Sequence, residues 1–377
     1  METKLEKKIV VLTAINFFEG GPLSILKDCI NEINSNEYNN YIFIIFLHKK
    51  ILLKELQLRE NIKLIELPKS RKGYFYRLYY EYYYFKKYSK TLNVYLWFSL
   101  HDISPRVDAR KRVVYCHNPT PFFSPKVKDL QYPMLLLSSY LYKFLYRINI
   151  KTNDFVVVQQ EWIRNEFNKL FEISKRKIIV SHPNISKNIF NNEPIVKKGG
   201  SKFLFFYPCF PRSFKNIEIL IKASELLIQE GIINFKIYLT LNGTENHYSK
   251  KIFSKCKNIE QIVFLGSLSR NDVYKYYSKV DALLFPSMLE TWGLPISEFK
   301  ETGKAILVSD LNFARETVGI YSKVRFINPY EASKWAKFMK KLILGQSEIT
   351  FSETEFITYS DPFVIGWSGI FSKLLID

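Results

Sequence analysis

The stretch FPSMLETWGLPISEFKETGKAILVSD, residues 285–310, holds two carboxylates eight positions apart, Glu290 and Glu298. DALLFPS has the composition of a buried strand, and LPISEFKET has that of a helix. Pro295 suits the first helical position, where its missing N–H costs nothing, and Gly303 suits a left-handed C-terminal cap. MLETWG is then a strand-to-helix loop at the carboxyl end of a sheet, where ligands of open α/β folds gather. The free N–H groups of a helix start, beside Gly293, suit a phosphate. A glutamate in the first turn, Glu298, can accept two hydroxyl hydrogen bonds from a sugar, while Glu290 faces another part of the same ligand. Such a pair could hold two sugars on either side of a diphosphate. The plain alternative for Glu298 is a charge favoured by the helix dipole.

Three further stretches carry candidate residues. In FYPCFPRSFKNIEILIKA, Arg212 and Lys215 stand in a Pro-rich turn between a strand ending at Tyr207 and a helix starting near Asn216. The dipole disfavours cations at a helix start, so solvated surface charge is a poor account of them. In FFEGGPLSI, Gly20 and Gly21 separate a first strand from a first helix, which lets a phosphate or acceptor approach the backbone. They do not form the G-x-G-x-x-G fingerprint of a dinucleotide oxidoreductase. In RVVYCHNPTPFF, His117 follows a strand directly, with Pro119 and Pro121 fixing the turn after it.

The context FPSxxExxGLPxxE resembles the E-x7-E segment of retaining, GT-B-fold glycosyltransferases of family 4, also called group 1. The resemblance covers most of the second half of the chain and scattered points of the first. It implies that Glu290 approaches the transferred sugar and that Glu298 binds the nucleotide ribose. Thr291, Trp292, Gly293 and Leu294 would line the donor between them. It implies that Arg212 and Lys215 neutralise the diphosphate, since fixed cations lower the barrier when the leaving group gains charge. Their spacing, Arg-x2-Lys, is shorter than the family's usual one. The strand and loop in IVFLGSLSRNDVYKYYSKVDALLFPS resemble the family's nucleobase loop, with Gly266, Ser267 and Leu268 along the base. His117 resembles a histidine that touches the donor sugar; its ring is expected to face the cleft, and no role as a catalytic base is implied. In that family the leaving phosphate takes the acceptor's proton, with attack on the same face.

The elements that must position these residues are legible in the alternation of the chain. Short β-branched or aromatic runs (KIVVLTAIN, YIFIIFL, NIKLIELP, VYLWFS, RVVYCH, DFVVVQQ, KIIVSHPN) alternate with longer helical patterns, as βα units do. The pattern breaks at EPIVKKGGSK and then resumes. The expected fold class is α/β: GT-B, two Rossmann-like domains with parallel sheets facing a central cleft. The N-terminal domain is expected over 1–192, on the acceptor side, and a linker over 193–201. The C-terminal domain, on the nucleotide-sugar side, is expected over 202–355, with residues 356–377 packing back on the first domain. Two domains also fit the length of 377 residues.

Of the formal charge of +19, residues 1–200 carry +15, from 33 Lys and Arg against 18 Asp and Glu. The first half therefore expects an anionic neighbour. GYFYRLYYEYYYFKKYSK adds ten Tyr or Phe between Tyr74 and Tyr88, mixed with Arg77, Lys86 and Lys87. It reads either as a helix packed against the sheet or as an interfacial helix on anionic lipid. Four scattered cysteines without a CxxC pair match reduced thiols rather than a disulfide or zinc framework. No run reaches the ~20 apolar residues of a spanning helix, and the N-terminus reads as a strand rather than a signal peptide.

The function expected is metal-independent transfer of a hexose or deoxyhexose from a UDP- or GDP-linked donor. The expected acceptor is a lipid-linked oligosaccharide in bacterial surface polysaccharide (O-antigen or capsule) synthesis. The enzyme is expected in the cytoplasm, peripheral on the inner face of the cell membrane. No cofactor is expected, and no metal, since there is no DxD at a plausible place and Arg212 with Lys215 can offset the diphosphate. Two alternatives are a sugar-nucleotide epimerase on the same fold and a basic nucleic-acid-binding protein. No RNA-recognition signature or base-reading basic helix supports the latter.

Overall fold

The structure, a computed structural model, describes residues 7–123, 133–184, 202–346, 351–354 and 357–375. The chain divides into two compact units, Met1–Asn184 with Tyr359–Asp377, and Ile185–Thr358. The linker expected over 193–201 lies outside the described residues.

The first unit contributes β1 (Lys8–Ala14), β2 (Tyr41–Leu47), β3 (Ile62–Glu66), β4 (Val94–Ser99), β5 (Lys111–Tyr115), β6 (Phe155–Val158) and β7 (Ile178–His182). The second contributes β8 (Phe203–Tyr207), β9 (Phe235–Leu239), β10 (Ile262–Phe264), β11 (Ala282–Phe285), β12 (Ala305–Ser309) and β13 (Val324–Ile327). The chain then returns to the first unit with β14 (Phe363–Ile365), which pairs with β7. The strand orders are β14-β7-β6-β5-β4-β1-β2-β3 and β10-β9-β8-β11-β12-β13, parallel throughout. Parallel strands need crossover helices that cover both faces. That requirement is why runs such as YIFIIFL are apolar on both sides rather than alternating.

Both orders contain the Rossmann pattern, in which the chain starts in the middle and reverses direction. The reversal falls between β1 and β4 in one unit and between β8 and β11 in the other. At such a switch point neighbouring strand-end loops diverge and leave room for a ligand.

Each unit has its own core. In the first, one face of the sheet packs Val10, Leu12, Phe43 and Ile45 against the C-terminal helix Gly366–Leu375 through Ile370, Phe371 and Leu374. The other face packs Val11, Phe46 and Trp97 against Phe85. Arg164, fully buried, ties the returning chain down by donating to the carbonyls of Pro362 (3.2 Å) and Ser360 (2.8 Å). In the second, Phe205, Ile237, Leu283 and Ile306 sit on strands and Leu220 and Trp335 on helices, all fully buried.

The tyrosine-rich segment resolves into helical turns over Tyr74–Tyr79 and Phe85–Ser89, joined by a wider π-helical turn, Tyr80–Tyr84. It packs against the sheet along one side only. Tyr80, Phe85, Arg77 and Glu81 are buried, while Tyr74, Phe75, Leu78, Tyr79 and Tyr83 face out. The helix Pro133–Arg147 adds an exposed stripe of Leu137, Tyr140 and Phe144. Among the described residues no helix is long and apolar enough to cross a membrane.

Candidate active site

The second unit's switch point brings the predicted cation and the first predicted carboxylate together. After β8 the chain makes a short turn, Ser213–Lys215, before the helix Ile217–Gln229. Asn216 takes a left-handed conformation (φ 56°) and donates to the carbonyls of Pro286 (3.3 Å) and Pro329 (2.8 Å). Tyr207 donates to the Lys215 carbonyl at 3.0 Å. The Lys215 ammonium consequently lies beside the loop that leaves β11 and forms an ion pair with Glu290. Both side chains are about 15% exposed, at 15% and 14%, so the pair is largely but not wholly desolvated. Arg212 is exposed, with its guanidinium 5.1 Å from the Phe210 ring centre, and does not join Lys215 in the pair with Glu290.

The loop between the glutamates is held at several points. The Met288 amide donates to the Phe214 carbonyl (2.7 Å), which couples this loop to the Lys215 turn. Trp292, buried, donates through Nε1 to Ser297 Oγ (2.9 Å), and its carbonyl accepts from Thr317. Thr291 and Leu294 are half-buried on either side. Gly293 has φ +91°, and a Cβ there would come within 3.2 Å of Ile296 Cδ1, so this position needs glycine.

The helix start differs slightly from the expectation. The helix spans Leu294–Lys300, so Pro295 takes the second position and Glu298 stands in the second turn. Glu298 is buried, at 7% exposure, rather than displayed on the rim. Its Oε1 accepts from Tyr274 (3.1 Å) and from the Arg270 guanidinium (3.4 Å), and its Oε2 accepts from Tyr277 (3.2 Å). Burial raises the Glu298 pKa, against the lowering effect of Arg270 and the two tyrosine hydroxyls. Burial, and then the adjacent Glu298 charge, push the Tyr277 hydroxyl up, so it remains a donor. These three partners escaped the sequence reading. Arg270, Tyr274 and Tyr277 are spaced by four and three on the helix Arg270–Lys279, a spacing that places them on one face.

Gly266 adopts φ +73° just after β10, and its amide donates to the Leu241 carbonyl (3.1 Å). Ser267 is exposed and Leu268 half-buried, leading into Ser269, whose hydroxyl caps the Arg270 helix.

In the first unit, Gly20 and Gly21 fall in the first turn of the helix Gly20–Ile33 rather than before it, Gly20 with φ +61°. His117 is mostly buried after β5. Its ring stacks near Tyr115 (5.8 Å) and meets Phe17 edge-on (5.3 Å), and its amide donates to Asp102 Oδ1 (2.8 Å). Burial lowers its pKa, with Asp102 opposing, so the ring is neutral at neutral pH. The switch point of this sheet, between β1 and β4, belongs to a different histidine. His101 bridges the two strand ends by donating Nδ1–H to the Thr13 carbonyl (2.8 Å), and its Nε2 meets Glu81. Arg77 donates to the His101 carbonyl (2.9 Å). His101, Asp102 and Glu81 were not singled out in the sequence, although HDIS after VYLWFSL repeats the strand-then-histidine pattern that marked His117.

Residues 188–354 match the family described as glycosyl transferases group 1. That stretch falls within the second unit, Ile185–Thr358. The chain is 22% identical over 236 residues to the O-antigen chain mannosyltransferase RfbU of Salmonella typhimurium, a stretch covering 62% of this chain and 61% of that relative. It is 27% identical over 137 residues to the serotype-specific mannosyltransferase WbdA of Escherichia coli, covering 35% of this chain and 16% of that one. The chain thus matches less than two thirds of the length of either relative. The structure is similar to that of a glycosyltransferase from Rickettsia africae, with TM-score 0.64, 16% identity, and 90% and 89% of the two chains covered. The fold is GT-B, two Rossmann-like units each built on a parallel sheet. Among its described residues no group of three or more His, Cys, Asp or Glu could hold a metal ion.

Proposed function

We propose that the chain is a retaining glycosyltransferase that moves a hexose or deoxyhexose from a nucleotide-diphospho-sugar to a lipid-linked saccharide during bacterial surface polysaccharide synthesis. The observation that carries this reading is the Lys215–Glu290 pair at the β8/β11 switch point, with the Glu298 carboxylate behind the same loop. One cation after β8, one carboxylate in the loop after β11 and another in the helix that follows match a diphosphate, a sugar and a ribose. Lys215, assisted by the exposed Arg212, offsets the charge that gathers on the diphosphate as the glycosidic C1–O bond breaks. Glu290 receives sugar hydroxyls, and Glu298 receives the ribose diol. The acceptor oxygen bonds to C1 on the face the phosphate leaves, and its proton passes to the departing phosphate oxygen, so the anomeric configuration is retained. Gly266, Ser267 and Leu268 are assigned to the base, and His117, neutral, to hydrogen bonding with a sugar hydroxyl.

The acceptor class is supported by the relatives named O-antigen chain and serotype-specific mannosyltransferases. It is supported also by the outward aromatic face of Tyr74, Phe75, Tyr79 and Tyr83, with Lys86 and Lys87 beside it. Such a face suits the headgroup layer of an anionic membrane, on the cytoplasmic side, where lipid-linked saccharides are extended. The test is incubation of a panel of nucleotide sugars, mannose-linked ones included, with lipid-linked saccharide extracted from the source bacterium. Sugar appearing in the lipid fraction with its configuration unchanged supports the reading. A nucleotide sugar converted without any acceptor would point instead to an epimerase.

A further inference from the structure

The geometry around Glu298 contains a competitor for its own substrate. A carboxylate offers roughly four acceptor directions. Tyr277, Tyr274 and Arg270 already take three at Glu298, and a vicinal diol needs two. One of the three must therefore yield when both hydroxyls of a ribose bind. Tyr277 is fully buried, its ring packed edge-on against Phe206 (5.7 Å) and Phe299 (5.4 Å), and cannot leave without opening the core. Tyr274 is half-buried with its ring beside that of Tyr277 (6.1 Å between centres), and its hydroxyl donates to Glu298 while accepting from Arg270 Nε at 2.5 Å, a bond that Arg270 gives up on leaving. Arg270 is half exposed, makes the longest of the three contacts, and sits at the first position of its helix, where the helix dipole does not favour a cation.

We propose that Arg270 is a gate on the ribose site, its guanidinium occupying an acceptor direction of Glu298 that a nucleotide's 2′,3′-diol takes on binding. The inference rests on the donor-site reading above and adds a regulating residue to it. Donor binding exchanges a guanidinium for a diol at the carboxylate, and Arg270 swings outward into solvent. The gate discriminates, because a ligand without two adjacent hydroxyls leaves Arg270 in place and gains nothing from Glu298. The contact is long, at 3.4 Å, and its guanidinium is half exposed to screening solvent, so the gate lowers affinity without closing the site.

The experiment is calorimetric titration of the full chain and its Arg270→Ala variant with UDP, GDP, ADP and CDP, followed by the 2′,3′-dideoxy form of whichever binds. The ratio of diol to dideoxy affinity separates the gate from any general attraction of Arg270 for the diphosphate. The proposal expects that ratio to rise about two- to fivefold in Arg270→Ala, the span of a weak ion pair with one half-exposed partner. A ratio unchanged or reduced overturns the gate while leaving the donor site intact. Failure of all four diphosphates to bind the unmodified chain overturns the donor-site reading, and the gate with it.

Discussion

Lys215 and Glu290 are 75 residues apart in the chain, yet their side chains form an ion pair where β8 and β11 end side by side. Neither residue is held by its own element alone. Asn216 ties the lysine turn to the carbonyls of Pro286 and Pro329, and the Met288 amide ties the glutamate loop back to Phe214. The pair is thus part of the loop architecture as well as the centre of the proposed reaction, and the two roles would respond differently to substitution.

Lys215→Ala is expected to lower turnover about 100- to 1,000-fold, the effect of removing one fixed charge from a developing anion. It also leaves Glu290 mostly buried without its counter-ion, which costs up to about 3 kcal/mol. The double variant Lys215→Met with Glu290→Gln removes both charges and should recover most of that stability without recovering transfer. Thermal unfolding and steady-state kinetics on the three proteins check this. Recovery of activity in the double variant would contradict the catalytic role.

The proposed ribose contact of Glu298 implies a pH dependence for donor binding. Burial raises its pKa above the ordinary 4.5, and with Tyr274 and Tyr277 in place only the ionised form has two acceptor directions left for a diol. Affinity for the nucleoside diphosphate should be full above the raised pKa and fall as pH drops through it, at a pH where an ordinary glutamate is still charged. Glu298→Gln should bind more weakly and lose that pH step. Titrations across mildly acidic pH decide, and an identical step in the Gln variant would remove the assignment.

How far all this was legible depends on sequence distance. Strands such as YIFIIFL and the segment from Phe285 to Asp310 declare themselves because their signal is local: composition, periodicity, and a glycine and proline at fixed offsets. The Lys215–Glu290 contact is a consequence of strand order, which placed β11 beside β8, and no local pattern encodes it. The depth of Glu298 comes from the helix Arg270–Lys279, whose Arg270, Tyr274 and Tyr277 meet the carboxylate across more than twenty residues of chain. Glu81 lay hidden in a run of aromatics, where a lone acid looks like surface. Its burial against His101 follows from the tyrosine helix turning one side to the sheet.

Gly293→Ala should destabilise the loop by about 1–2 kcal/mol, since an L residue at φ +91° is strained and its Cβ would crowd Ile296. Because Trp292 and Leu294 move with it, donor affinity should fall more than overall stability does. Calorimetric binding set beside thermal unfolding separates the two. A variant with unchanged affinity would show that the loop does not touch the donor.

Transfer should proceed undiminished in the presence of excess chelator, with Lys215 and Arg212 supplying the positive charge for the diphosphate. The check is an assay in EDTA and again after adding Mg²⁺ or Mn²⁺. Strict dependence on a divalent ion would contradict that division of labour.

Replacing Phe75 and Tyr83, 77% and 61% exposed, by serine should weaken sedimentation with vesicles containing anionic phospholipid. Both side chains already face solvent, so folding should be unaffected. Vesicle binding that persists in the double variant would place membrane contact elsewhere.

The central claim is tested most directly by a crystal structure of the chain soaked with a nucleotide sugar that it binds. The account predicts diphosphate density within hydrogen-bonding reach of the Lys215 ammonium, the sugar beside Glu290, and the ribose hydroxyls on the Glu298 carboxylate. Ligand density bound away from Lys215 and the 290–298 loop would contradict it.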